Sequence, residues 1–125
     1  MSPLLSILIP TYRNIQLLKS CIHTLLLNTE YPYRIIILNN DSTEAAKGAV
    51  TRVVETCPVS SIVVKHLNSN LGWMGAINAG MTDVDTPFVC LLNDDVVFIP
   101  GQPYFWRRLI DFLSSPEVAA VGPSS

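Results

Sequence analysis

The chain is poor in charge: 14% of its 125 residues are Asp, Glu, Lys or Arg, while 49% are apolar, and the net charge is -2. Soluble domains carry about a quarter charged residues, so most strands and helices here are expected to be covered on more than one side, as in a layered α/β domain. Some of the apolar surface is expected to meet further chain or a partner. With no Lys/Arg cluster, the sequence offers no electrostatic footprint for nucleic acid or for an anionic membrane. Only six glycines are present, and neither Gly-x-Gly-x-x-Gly nor a Gly-x-x-x-x-Gly-Lys-Ser/Thr loop occurs. Dinucleotide-binding dehydrogenases and P-loop NTPases are thereby set aside. Cys21, Cys57 and Cys90 are an odd number without metal-ligand spacing, and they read as reduced core residues. No run approaches the roughly 20 apolar residues of a membrane span, and the first apolar segment stops at Pro10 without a basic flank. The expectation is a cytoplasmic, soluble chain, with peripheral membrane association left open.

A length of 125 residues suits one domain with its own core. Residues 4–9 read as a strand that Pro10 ends, because proline cannot donate to a sheet ladder. Ile15, Leu18, Ile22, Leu25 and Leu26 fall at helical spacing, with Asn14 placed to cap a helix running to about Asn28. Residues 33–38, centred on Ile35-Ile36-Ile37, have the unbroken apolar pattern of a parallel strand buried on both faces. Asp41 and Glu44 resemble a capping box for a second helix whose buried stripe is Ala45, Ala46, Ala49, Val50, Val53 and Val54. The more alternating residues 61–67 suggest a strand near the sheet edge, and residues 73–81 a short helix rich in small residues. A strand is expected from Pro87, then an aromatic helix over 104–113 and a last strand over 116–122. The resulting β-α-β-α-β-α-β-α-β order predicts a mostly parallel central sheet between helical layers, a three-layer α/β/α Rossmann-like fold.

That order brings the carboxyl ends of several strands to one edge, where open α/β sheets bind ligands. Residues grouped there are Thr11, Tyr12, Asn39 to Asp41, Asn70 to Gly72 and Asn93 to Asp95. Leu91-Leu92-Asn93-Asp94-Asp95 puts paired carboxylates at the end of an apolar strand, the oxygen donors that Mg2+ or Mn2+ takes alongside substrate phosphates and water. If the backbone stays extended, Asn93 and Asp95 share a face and Asp94 points the other way. An ordinary polar turn would leave two adjacent acids in need of a cation or donors. Asn40 could read a base edge through the paired donor and acceptor of its amide, whereas Asp41 fits helix capping better. Gly72 opens a helix whose N-terminus could face a phosphate. His23 and His66 have no partner at ligand spacing and read as structural or solvated; Trp106, Tyr104 and Phe105 read as packing, and Trp73 lies beside the mouth.

Four segments together, Leu5-Ser6-Ile7-Leu8-Ile9-Pro10-Thr11-Tyr12-Arg13-Asn14, Ile37-Leu38-Asn39-Asn40-Asp41-Ser42-Thr43, Asn70-Leu71-Gly72-Trp73 through Asn78-Ala79-Gly80, and Leu91-Leu92-Asn93-Asp94-Asp95-Val96, resemble family 2 glycosyltransferases of the GT-A fold. The resemblance implies a metal-dependent domain that binds a nucleotide-diphosphate sugar for inverting transfer to an acceptor hydroxyl. It implies Asp95 as metal ligand in a DXD-like motif, with Mg2+ or Mn2+, and Asp94 facing the ribose or sugar. Pro10, Thr11, Tyr12, Asn40, Asn70, Gly72 and Asn93 would complete the nucleotide-sugar pocket. Two departures stand out: Asn39-Asn40 replaces a common acidic pair, and Ala76-Ile77-Asn78 lacks the arginine that many relatives carry before that asparagine. The resemblance further implies that residues 1–125 are the nucleotide-binding half of a longer transferase, with the catalytic base beyond Ser125. The acceptor, whether saccharide, lipid-linked saccharide or protein, is left open, as is a homo-oligomer across uncovered apolar surface. The competing expectation is a non-catalytic α/β nucleotide-binding or protein-interaction module.

Overall fold

The computed structural model describes residues 2–57, 61–101, 104–115, 118 and 120–122. In chain order the elements are β1 (Leu5–Thr11), α1 (Ile15–Asn28), β2 (Tyr33–Asn39), α2 (Glu44–Glu55), β3 (Ile62–His66), α3 (Gly72–Met81), β4 (Phe88–Leu91) and α4 (Phe105–Leu113). The four strands form one parallel sheet in the order β3-β2-β1-β4. As the alternating pattern of residues 61–67 anticipates, β3 lies at an edge, while β1 and β2 lie in the centre.

Side chains alternate between the two sheet faces, and this divides the core. Ile7, Ile9, Ile35 and Ile37 pack with Leu18, Cys21, Ile22 and Leu25 of α1, Val50 and Val53 of α2, and Trp106 and Ile110 of α4. On the opposite face Leu8, Ile36 and Leu38 meet Ala76 and Ile77 of α3. The expected three layers are therefore present, with three helices on one face and α3 on the other. The α3 layer is narrow: Val89 and Leu91 of β4 pair with Ser6 and Leu8 yet remain 37% and 45% exposed. This is uncovered apolar surface of the kind expected from the low charge content.

Several expectations need correction. Pro10 does not end β1 but sits within it, paired in register with Leu38. The carbonyl of Leu8 accepts from Leu92 N on the β4 side, so alternation turns position 10 toward that side as well, beyond the last paired residues Leu8 and Leu91. The missing N–H falls where no strand requires it. Asn14 precedes α1, but its side chain makes no capping bond because its backbone (φ -120°, ψ 48°) departs from the extended cap conformation. The cap of α2 is Thr43, whose Oγ1 accepts from Ala46 N, so the anticipated Asp41–Glu44 capping box does not form. In α2, Val50 and Val53 are buried, Ala46, Ala49 and Val54 are half-buried, and Ala45 is exposed. The apolar run from Pro87 continues as strand only to Leu91. In the segment 116–122, expected as a last strand, Val118 and residues 120–122 form no strand; the others lie outside the described residues.

Candidate functional site

At the carboxyl edge of the sheet, hydrogen bonds join the ends of β1 and β2, the start of α3 and the acidic turn after β4. Thr11, the last residue of β1 and 4% exposed, donates from Oγ1 to Asp94 Oδ2 at 2.9 Å, while its carbonyl accepts from Asn40 N at 2.9 Å. One threonine thus ties the acidic turn to the end of β2. Beyond Leu91 the backbone turns, with Val96 N donating to the Asn93 carbonyl at 3.3 Å. The extended geometry that would place Asn93 and Asp95 on one face is absent. Asp94 points inward to Thr11, whereas Asp95 and Asn93 are exposed. From below, Cys21 Sγ approaches the Asn93 carbonyl at 3.8 Å. Burial, followed by the nearby Asp94 and Asp95 charges, pushes the Cys21 thiol up to about 12, and burial pushes Cys90 up to about 11. Both stay protonated near neutrality and serve as packing groups rather than nucleophiles.

Asn40 is buried and clamps the start of α3: its Oδ1 accepts from Leu71 N and its Nδ2 donates to the Gly72 carbonyl, each at 3.1 Å. The amide whose paired donor and acceptor suggested a base reader is engaged in holding this loop. Asn70 Oδ1 accepts from Gly72 N at 3.0 Å, and Gly72 has a φ of +73°, a conformation that glycine adopts without Cβ strain. Asn70 and Gly72 are therefore fixed as a shaped loop beside the mouth. Asn39 faces away, its amide bonded to His66 Nδ1 at 3.0 Å and to Asp41 N at 3.0 Å, so it joins the ends of β2 and β3. His66 is structural, as its lack of a ligand-spaced partner implies.

Tyr12 and Arg13 follow β1. Tyr12 is 37% exposed, and the Arg13 guanidinium lies 4.7 Å from its ring centroid. Arg13 Nε donates to Asp41 Oδ2 at 3.0 Å, and Asp41 Oδ1 accepts from Thr43 N. The Thr43 N–H and hydroxyl, then Arg13, hold the Asp41 carboxyl below the usual carboxylate range. The bland expectation for Asp41, helix-start chemistry, is close to its place: it orders the turn that positions the Thr43 cap. The Arg13–Asp41 pair was not legible in sequence, since 28 residues separate its members.

The sequence-predicted residues Pro10, Thr11, Tyr12, Asn40, Asn70, Gly72, Asn93, Asp94 and Asp95 thus lie on the loops and strand ends of one edge. A cavity of about 480 Å3 lined by Arg34, Asp85 and Thr86 lies near the amino ends of the strands instead, away from this group. Adjacent carboxylates in a polar turn fit a hard divalent cation whose shell is completed by substrate phosphates. Among the described residues no three His, Cys, Asp or Glu side chains form a preassembled cage.

Residues 6–125 match the family model for glycosyl transferase family 2. The chain belongs to that family. An uncharacterized glycosyltransferase of Bacillus subtilis, YwdF, is 34% identical over 98 residues, 78% of this chain and 35% of the relative. An uncharacterized glycosyltransferase of Nostoc, alr2836, is 25% identical over 117 residues, 94% of this chain and 35% of its own length. The chain therefore spans about a third of these curated relatives. Among solved structures, the mannosyltransferase PcManGT from Pyrobaculum calidifontis, in complex with GDP-Man and Mn2+, superposes with a TM-score of 0.79 at 20% identity over 94% of this chain and 34% of that one. S. aureus TarS residues 1–349 give 0.69 at 18% identity over 99% of this chain and 39% of theirs. These likenesses establish the GT-A fold for this family 2 domain. No helix among the described residues is long and apolar enough to cross a membrane.

Proposed function

We propose that residues 1–125 form the nucleotide-diphosphate-sugar-binding domain of a longer family 2 glycosyltransferase. In this reading the domain holds its donor through Mg2+ or Mn2+ at the acidic turn, and the full-length enzyme transfers the sugar with inversion to an acceptor hydroxyl. The observation that carries the reading is the Thr11–Asp94 bond, which orients a carboxylate beside an exposed Asp95 at the carboxyl edge of a parallel sheet. Asp95 is the metal ligand and Asp94 the carboxylate for a ribose or sugar hydroxyl. Tyr12 and the Asn70–Gly72 loop border the nucleotide, and Asn40 holds that loop in place. The PcManGT complex with GDP-Man and Mn2+ supports a nucleotide sugar and a divalent cation as ligands for this fold. When bound, the cation supplies positive charge to the diphosphate leaving group. No base for the acceptor hydroxyl is assigned among these residues, so the isolated domain is expected to bind donor and to transfer little or nothing.

Calorimetry with UDP, GDP and dTDP, each with and without Mn2+, tests the reading. At least one nucleotide should bind, and more tightly with the metal. Absence of binding by all three in Mn2+ would leave a non-catalytic interaction module as the better account.

A further inference from the structure

We infer that Arg13 is the diphosphate-binding cation of this site, held on Asp41 in the unliganded domain and shared with the donor's phosphates when the nucleotide binds. The inference rests on the donor-site reading above. Arg13 lies two residues beyond Thr11, the residue that carries Asp94, so its backbone is anchored at the mouth. Its φ is +57°, in the left-handed region that an arginine rarely adopts, although Asn14, better suited to that conformation, follows directly. Backbone strain of this kind persists where the surroundings hold it, and it aims the side chain across the strand ends toward Asp41.

The guanidinium itself is only partly used. Nε alone meets Asp41, and among the described residues no hydrogen bond engages the terminal nitrogens of a side chain that is 64% exposed. The Tyr12 ring against the guanidinium, 4.7 Å from centroid to Cζ, limits its swing. Four N–H donors in a fixed plane suit two phosphate oxygens, a geometry lysine cannot reproduce.

Charge favours such a group beside the metal. Asp41, Asp94 and Asp95 already concentrate negative charge at this edge, and a diphosphate adds more. The helix that forms the opposite wall, α3, contains no Lys or Arg. Elsewhere in the sheet, Lys65 is bound to the Ala79 carbonyl and Asp83, and Arg34 to Asp85. Arg13 is the cation that hydrogen bonds tie into the strand-end loops among the described residues.

The test compares Arg13→Gly and Arg13→Lys with the wild type, using whichever of UDP, GDP or dTDP binds in Mn2+ together with its monophosphate. Glycine accepts the left-handed backbone without strain, which offsets the lost Arg13–Asp41 pair, so Arg13→Gly should fold with a Tm close to that of the wild type. Diphosphate affinity should fall about 10-fold or more in Arg13→Gly, monophosphate affinity should fall less, and Arg13→Lys should recover part of the difference. Unchanged diphosphate affinity in Arg13→Gly would overturn the role of Arg13 while leaving the donor site intact. Equal losses for mono- and diphosphate with a lowered Tm would overturn it as well, and assign Arg13 to tethering β1 to β2. Failure of the wild type to bind any of the nucleotides would overturn both readings together.

Discussion

Two alanine substitutions, Gly80→Ala and Gly48→Ala, measure how tightly α3 is set against the sheet, and hence how firmly the Leu71–Gly72 loop is placed. A Cβ at Gly80 would lie 2.7 and 2.9 Å from the two Cδ atoms of Leu38. Leu38 is fully buried on central strand β2 and packed in the core that α3 covers, so it has little room to swing aside. Overpacking of this kind costs about 1–3 kcal/mol. At Gly48, within α2, the nearest atom to a new Cβ is the mobile Arg52 Nη1, at an ordinary 3.5 Å. Both substitutions gain the helical preference of alanine over glycine, roughly 1 kcal/mol. That gain cancels between them and leaves the overpacking as the difference. With about 3–5 °C of Tm per kcal/mol at this chain length, Gly48→Ala should melt roughly 3–15 °C above Gly80→Ala, and somewhat above the wild type. Thermal unfolding followed by circular dichroism reads this directly. A Gly80→Ala domain as stable as Gly48→Ala would refute the close contact between α3 and β2, and with it the fixed placement of the loop.

Thr11→Val should weaken metal-dependent nucleotide binding by about 10-fold, the worth of a charge-assisted hydrogen bond, while Thr11→Ser retains it; equal calorimetric affinities in the two variants would remove Thr11 from positioning Asp94. Asp95→Ala should abolish the metal dependence of nucleotide binding yet change stability by less than about 0.5 kcal/mol, because the residue is exposed; undiminished Mn2+-dependent binding would deny it the metal. Asp41 is held below the usual carboxylate range, so its charged form stabilises the fold above that range, and this stability disappears as pH falls through its depressed value. Urea midpoints of the wild type and Asp41→Asn should therefore differ at pH 7 and converge under strong acid, and a constant gap across pH would contradict the assignment.

The apolar strand segments ending in Pro10-Thr11, Asn39-Asn40 and Asn93-Asp94, alternating with helical patterns, were enough to predict parallel strands whose carboxyl ends share an edge. Where prediction failed, the missing information was nonlocal. Asp41, Ser42 and Thr43 are all good cap formers by sequence, and Thr43 takes the role because its backbone is extended (φ -70°, ψ 150°) while Asp41 is drawn to Arg13. Pro10 stops a strand only if a neighbour needs its N–H, and the shortness of β4 removes that need. The amide of Asn40 was legible as a strand-end polar group, but its partners on the α3 loop lie more than thirty residues away in sequence.

The sequence by itself determined the layered α/β class, the edge position of β3 and the family, because hydrophobic periodicity and strand-end motifs are local properties of the chain. Only the tertiary structure decided what each polar residue at the edge does. Thr11 became the support of Asp94, Asn40 the clamp of a loop, and Asp41 the partner of a strained arginine. Each role is a hydrogen bond between segments that folding alone brings to within about 3 Å.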